Sequence, residues 1–89
     1  MIERELEIVN RLGLHARAAA KLVHMTGRFD SQITLAKDGE EVDAKSILGI
    51  LLLAAAQGSQ VVLRCEGDDE QPAMNAISEL FTGGFEEEV

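Results

Sequence analysis

Apolar and acidic side chains alternate at the start of the chain, with Ile2, Leu6 and Ile8 on one side and Glu3, Glu5 and Glu7 on the other. A period of two specifies a half-buried strand, here Ile2 to Val9. After the turn Asn10-Arg11-Leu12-Gly13 the period lengthens. Ala16, Ala19, Ala20 and Val23 recur at helical spacing, which predicts a helix from Ala16 to about Thr26 with Gly27 as its C′ stop. Ile33 and Leu35 share one face of a second strand, Gln32 to Ala36, and Asp38-Gly39 is a hairpin signal leading into a short polar strand, Glu40 to Asp43. Ser46 then opens a short helix from Ile47 to about Leu53 or Ala55, with Gly58 beyond its end. Val61, Leu63 and Cys65 point inward from a fourth strand, Gln60 to Glu66, while Val62, Arg64 and Glu66 point out. Asp68 or Asp69 can cap a last helix that tolerates Pro72 in its first turn and buries Ala73, Ala76, Ile77, Leu80 and Phe81 before Gly83-Gly84 ends it. The acidic tail from Phe85 to Val89, with its three glutamates, reads as loose and solvated.

The order is therefore β-α-β-β-α-β-α, an α+β arrangement with antiparallel strands and the helices on one face of the sheet. The 89 residues, 46% of them hydrophobic, make one globular domain, 1–89. No repeat or linker divides it.

Charge and composition narrow the function. Sixteen acids against eight bases give a net charge of −8, which repels nucleic acid and anionic membrane on average, although a local cationic spot can still bind an anion. Three Phe with no Tyr or Trp offer no stacking platform for single-stranded nucleic acid. The single cysteine excludes an intrachain disulfide. The longest apolar run, Ile47 to Ala56, is broken by Gly49 and is about half of what spans a bilayer. MIERELEIV lacks the basic and apolar regions of a signal peptide, so the expected compartment is the cytoplasm.

The chemistry concentrates at two helix starts. In NRLGLHARAAAKLV, Gly13 permits a tight turn, and His15 and Arg17 follow where a helix begins. The N–H groups of Ala16, Arg17 and Ala18 have no intrahelical carbonyl partner, and with the helix macrodipole they attract an anion. Arg17 adds a fixed charge suited to phosphate oxygens. An imidazole with an ordinary pKa near ~6.5 is largely neutral at cytosolic pH and is a competent nucleophile toward phosphorus. These are the parts of a reversible phosphoryl-accepting site. No glycine-rich nucleotide loop, Walker lysine or magnesium-binding acid cluster accompanies them, so the chain reads as a carrier and not as an enzyme with its own ATP site.

At the second start, Ser46 is a natural N-cap, and a phosphate added there would bring up to about two negative charges, partly offset by Lys45. Ile47, Leu48, Ile50, Leu51, Leu52 and Leu53 point in nearly every direction around two helical turns, more apolar surface than one packed face can use. His24 reads as a surface residue and Cys65 as a core residue. His15, His24 and Cys65 lack zinc-ligand spacing, and no metal or cofactor is expected.

GLHARAAAKLV and KSILGILLLAAAQGS together resemble the two signatures of the histidine-containing phosphocarrier (HPr) family of the phosphotransferase system, over essentially the whole chain. The resemblance implies an open-faced β-sandwich with strand order 1-4-2-3 and three helices on one side. It implies that His15 accepts a phosphoryl group through Nδ1 from phosphorylated enzyme I, with Arg17 assisting, and passes it to an enzyme IIA domain. It further implies Ser46 as the target of an HPr kinase/phosphorylase, and Ala20, Ile47, Leu48 and Leu51 as a docking surface, in a protein expected to act as a monomer. The family usually has proline after the arginine, where this chain has Ala18, which restores an N–H. AISELFTGGFEEEV is similar to the nitrogen-related branch (NPr), and KSILG to the kinase-regulated branch. The alternative function is a regulatory module on the same fold that docks partners through its apolar helix and makes no use of His15 in transfer.

Overall fold

The computed structural model describes residues 1–87. Its elements are β1 (Ile2–Glu7), α1 (Ala16–Thr26), β2 (Gln32–Lys37), β3 (Glu40–Asp43), α2 (Ile47–Leu53), β4 (Gln60–Glu66) and α3 (Glu70–Thr82), followed by a 3-10 turn at Gly84–Glu86. The order is the β-α-β-β-α-β-α read from the periodicities. The four strands form one antiparallel sheet in the order β1-β4-β2-β3.

Cross-strand register explains the two faces of this sheet. Ile2, Cys65 and Ile33 align across three strands, and Leu63 aligns with Leu35, so the inward positions of β4 and β2 stack in rows. Leu6, Ile8, Ile33, Leu35, Val61, Leu63 and Cys65 are buried with Leu22 of α1, Ile50 of α2 and Ile77 of α3 in one core. Each such aliphatic side chain contributes about 1.5–3 kcal/mol on burial. The opposite row, Glu3-Arg64-Thr34, faces solvent, and the Arg64 guanidinium spans Glu3 at 2.6 Å and Glu41 at 2.9 Å. Arg4 stands on the inward side of β1, between Ile2 and Leu6, and escapes burial by reaching across to donate to Ser78 Oγ of α3 at 2.9 Å.

Several local expectations are corrected. The ladder of β1 stops at Glu7 instead of Val9, although Ile8 still bonds the backbone of Gly58 and Ser59. The ladder of β2 runs one residue further, to Lys37. The buried face of α1 is Ala18, Ala19, Leu22 and Thr26, whereas Ala16 and Ala20 are exposed and Val23 is partly buried. A helix start built from alanines has too little hydropathy contrast to fix its rotational phase. Gly27 ends α1 with right-handed φ −66°, without the left-handed turn its type suggests. On α3, Met74 and Ser78 are buried, while Ala76 and Leu80 are only partly so.

Asp69 stands at the N-cap of α3 but makes no capping bond with its side chain. Its carboxylate instead accepts from the N–H groups of Asp30 (2.8 Å) and Ser31 (2.9 Å) and from the Ser31 hydroxyl, tying the segment before β2 to the start of α3. The tail is not loose throughout. Phe85 is fully buried, edge-on to Phe81 with ring centroids 4.9 Å apart. Of the three tail glutamates, Glu86 is exposed, Glu87 contacts His15, and Glu88 lies with Val89 outside the described residues.

One contact places the turn before α1. Gly13 has φ +67°, and a Cβ there would lie 2.4 Å from the carbonyl oxygen of Ala55. The same carbonyl accepts the N–H of Leu14 at 2.9 Å. Ala54, which ends α2, turns the chain toward this contact with a left-handed φ of 49°. The start of α1 is thus fastened to the end of α2 by backbone groups, and only glycine satisfies both the dihedral and the space.

Two outcomes follow. Gly13→Ala combines an unfavourable left-handed φ with a backbone clash and is expected to lower the unfolding free energy by at least about 2 kcal/mol, measured by urea denaturation. The Ser31 hydroxyl bond, followed by the backbone N–H of Asp30, holds the Asp69 carboxyl below the usual carboxylate range. Folding therefore favours its ionised form, so its contribution is present above the unfolded value near ~3.9 and is lost as pH falls through the lower folded value. Asp69→Asn should be less stable at neutral pH and show a shallower further loss on acidification below about pH 4, read from thermal melts against pH.

Candidate functional site

His15 is the N-cap of α1, with extended backbone (φ −76°, ψ 180°). Its carbonyl accepts the first intrahelical bond, from Ala19 N–H at 2.8 Å. The N–H groups of Ala16, Arg17 and Ala18 precede that bond and have no carbonyl within the helix. The Arg17 N–H is instead donated to Nδ1 of His15 at 3.2 Å. An imidazole nitrogen accepts only through a free lone pair, so in the neutral ring the proton resides on Nε2. Nδ1, the nitrogen singled out by the family resemblance, therefore faces the free amides of the helix start.

The other edge of the ring is held by a residue that local sequence reading treated as solvated. Nε2 of His15 pairs with Glu87 Oε2. The second carboxylate oxygen of Glu87 accepts from Asn10 Nδ2 at 3.1 Å, and the same amide group donates to Gly13 O at 2.8 Å. The side chains of His15 and Glu87 are 25% and 13% exposed, so the pair is shielded but the ring remains within reach of solvent. Burial works against ionisation of Glu87, but the hydrogen bonds from Asn10 and His15 and the charge of Lys21 prevail and hold its carboxyl below the ordinary range.

A shallow cleft adjoins the site, lined by Arg11, Leu12, Arg17, Lys21, Glu86 and Glu87. Three cations at this rim give a chain of net charge −8 a local anion-attracting spot. Lys21 donates to the carbonyl of Phe85 at 2.7 Å and lies 3.9 Å from Glu86. The Arg17 side chain is exposed and extends the cationic rim outward. Asn10, Lys21 and Glu87 were not singled out as site residues, because each enters through a long-range contact that no local spacing encodes.

Ser46 caps α2 as expected, with Oγ accepting from Gly49 N–H at 3.1 Å. Lys45 does not stand free beside it, because its ammonium donates to Phe29 O at 2.8 Å. Gly49 brings α2 close to β3, where a Cβ would lie 3.2 Å from Val42 Cβ. The apolar excess of α2 divides cleanly. Ile50 and Leu53 are buried, while Ile47, Leu48 (69% exposed), Leu51 and Leu52 (66%) face outward. Ala20 is exposed on α1, and Leu12 is exposed in the turn before it. Leu12 and Leu52 add apolar surface that was not assigned to docking.

The remaining candidates do not join the site. His24 is exposed on α1. Cys65 is buried in the core, and that burial pushes its thiol up, leaving it little thiolate character. Among the described residues, no group of three or more His, Cys, Asp or Glu is gathered to hold a metal, and no helix is long and apolar enough to cross a membrane.

Comparison with known proteins bears on the family and the fold. Residues 2–83 match the family described as the PTS HPr component phosphorylation site. The phosphocarrier protein HPr of Xylella fastidiosa (strain Temecula1) is 53% identical over 88 residues, covering 99% of each chain. That of Cupriavidus necator is 49% identical over 87 residues, covering 98% of each. Among solved structures, HPr from Thermoanaerobacter tengcongensis superposes with a TM-score of 0.96 at 47% identity over all of both chains. HPr from Bacillus anthracis superposes at 0.87 with 36% identity, covering 90% of this chain and 95% of that one. With its strand order, its His15-Arg17 helix start and relatives aligned nearly end to end, the chain belongs to the HPr family of phosphotransferase-system phosphocarriers.

Proposed function

We propose that this protein accepts a phosphoryl group on His15 Nδ1 from phosphorylated enzyme I and delivers it to an enzyme IIA domain. The observation that carries the reading is the Arg17 N–H donated to Nδ1, which puts the ring's lone pair at the positive end of α1. As Nδ1 bonds to phosphorus, the bond from phosphorus to the donor's leaving group breaks. The phosphoryl oxygens then take over the N–H groups of Ala16, Arg17 and Ala18, and the guanidinium of Arg17, an exposed side chain lining the adjoining cleft, supplies a further cation. A helix terminus stabilises an anion by about 0.3–2 kcal/mol, which favours the loaded state without trapping it. A carrier requires that balance.

Docking in this reading uses Ala20, Ile47, Leu48 and Leu51, exposed apolar residues on the two helices that meet beside the His15 turn. Phosphorylation of Ser46 by an HPr kinase/phosphorylase would set a dianion next to Ile47 and Leu48. The Lys45 ammonium, held on Phe29 O, keeps its single charge and offsets only part of a dianion. Approach of an acidic partner would then be opposed by repulsion and by desolvation of the phosphate. A module that only docks partners leaves the arrangement around Nδ1 without a use.

Incubation with enzyme I and phosphoenolpyruvate is expected to give an acid-labile, base-stable phosphate on the wild-type chain and none on His15→Ala; equal labelling of the two would refute the assignment. Ser46→Asp and Leu48→Glu are each expected to slow labelling about tenfold or more, mainly through a raised KM for the carrier. An undiminished rate in both variants would remove α2 from the docking surface.

A further inference from the structure

We propose that Glu87 is a positioning residue for His15: it keeps the Nε2 proton in place, aims Nδ1 at the helix amides and balances the charge that the ring gains on phosphorylation. This inference rests on the reading of His15 as the phosphoryl acceptor.

The contact is built from both sides. The chain after α3 makes a tight turn in which Gly84, Phe85 and Glu86 all have positive φ (65°, 57° and 62°). For the two residues with a Cβ this left-handed conformation is unfavourable, so something must hold them there. Burial of the Phe85 ring and its edge-on contact with Phe81 oppose that cost. The Lys21 bond to Phe85 O fixes the turn against α1. The strained turn is thereby offset, and the next residue, Glu87, is delivered to the His15 ring.

Asn10 fixes the carboxylate from the opposite direction. Its side chain is buried, and both acceptors of its Nδ2 group, Gly13 O and Glu87 Oε1, belong to the site. Its Oδ1 is left buried without a hydrogen-bond partner among the described residues. An orphaned carbonyl is costly, and the reverse orientation would turn that oxygen toward the Glu87 carboxylate and Gly13 O. The amide is therefore oriented for the site at the expense of its own oxygen. Glu87 approaches the Nε2 edge, away from Nδ1, so it does not occupy the place of the incoming phosphorus.

The electron count gives the carboxylate its purpose. When the Nδ1 lone pair forms the N–P bond, the bonding pair of the broken bond leaves with the donor group. The imidazole, which began neutral with a proton on Nε2, becomes cationic. No proton has to depart: the Nε2 proton stays in the bond to Glu87, whose negative charge faces the new positive one. On delivery to the acceptor the N–P pair returns to Nδ1 and the ring is neutral again. For a metal-ligating imidazole, a second partner of this kind is typically worth about 10–100-fold, and the same order is expected here.

The test pairs Glu87→Ala and Glu87→Gln with wild type in two measurements. Nitrogen-15 spectra of the unphosphorylated protein need no donor enzyme and should show a protonated, slowly exchanging Nε2–H in wild type. That proton should exchange rapidly in Glu87→Ala and stay protected in Glu87→Gln, which keeps an acceptor but lacks the charge. The rate of labelling from enzyme I should fall about 10-fold or more in Glu87→Ala and by a smaller factor in Glu87→Gln, through kcat more than KM. Thermal melts identify any variant that fails to fold, and the near-isosteric Glu87→Gln then decides. If both variants label at the wild-type rate, or if Nε2–H is unprotected in wild type, the role of Glu87 is overturned while His15 remains the acceptor. If the wild-type chain is not labelled at all, the phosphocarrier reading and this inference fall together.

Discussion

The site depends on a steric constraint among backbone groups: the turn at Gly13 must lie against the Ala55 carbonyl, with no room for a Cβ between them. That contact sets where α1 begins, and the beginning of α1 determines that His15 is its N-cap. From there the chemistry follows from elementary helix geometry. An N-cap side chain is the natural acceptor for the N–H two or three residues on, and here the acceptor is an imidazole nitrogen in place of the usual hydroxyl or carboxylate. The ring is consequently held with one lone pair on the Arg17 amide, among helix-start amides that have no carbonyl partner within the helix. Amides at helix starts are satisfied by caps, water or ligands, and this start is partly open and rimmed by Arg11, Arg17 and Lys21.

The two ends of the ring are controlled by different kinds of interaction. On the Nδ1 side the partner is a backbone amide, weakly held at 3.2 Å and easily exchanged for a stronger anion. On the Nε2 side the partner is a carboxylate, itself fixed by a buried asparagine amide. This asymmetry suits a group that must bind and release a phosphoryl through one nitrogen while keeping its orientation through the other. The surrounding apolar surface on α2 is separate in origin. Seven residues of helix cannot direct six large aliphatic side chains to one face, so Ile50 and Leu53 fill the core and the remainder stay outside.

The kinds and order of the elements were legible because their signals are local, whereas the strand order came only from the family resemblance, since pairing between distant strands leaves no local trace. Alternation fixed the faces of β1, β2 and β4, and Ser46 and Asp38-Gly39 marked their helix start and hairpin. The misread features share a physical cause. The face of α1 was placed on Ala16, Ala19, Ala20 and Val23 because a row of alanines carries little contrast; Ala19 is buried as read, but its buried companions are Ala18, Leu22 and Thr26. Asp69 reads as a cap by its position, yet Ser31, thirty-eight residues away, takes its carboxylate. The acidic tail carried no local sign that Phe85 would be buried, since its pocket is completed by α3 and its turn uses left-handed backbone at two non-glycine residues. His15 and Arg17 were candidates in the sequence because they follow Gly13 at a helix start and match the family signature; Glu87 and Asn10 were not, because their contacts exist only once residues 72 and 77 positions apart have been brought together.

The central claim is that the lone pair on Nδ1, and not the one on Nε2, is presented to phosphorus. Heteronuclear phosphorus-31 and nitrogen-15 spectra of the enzymatically phosphorylated, nitrogen-15-labelled protein locate the bond directly. The account predicts phosphorus coupled to Nδ1 of His15, with the proton retained on Nε2. Phosphorus bonded to Nε2, or to any other side chain, would contradict it.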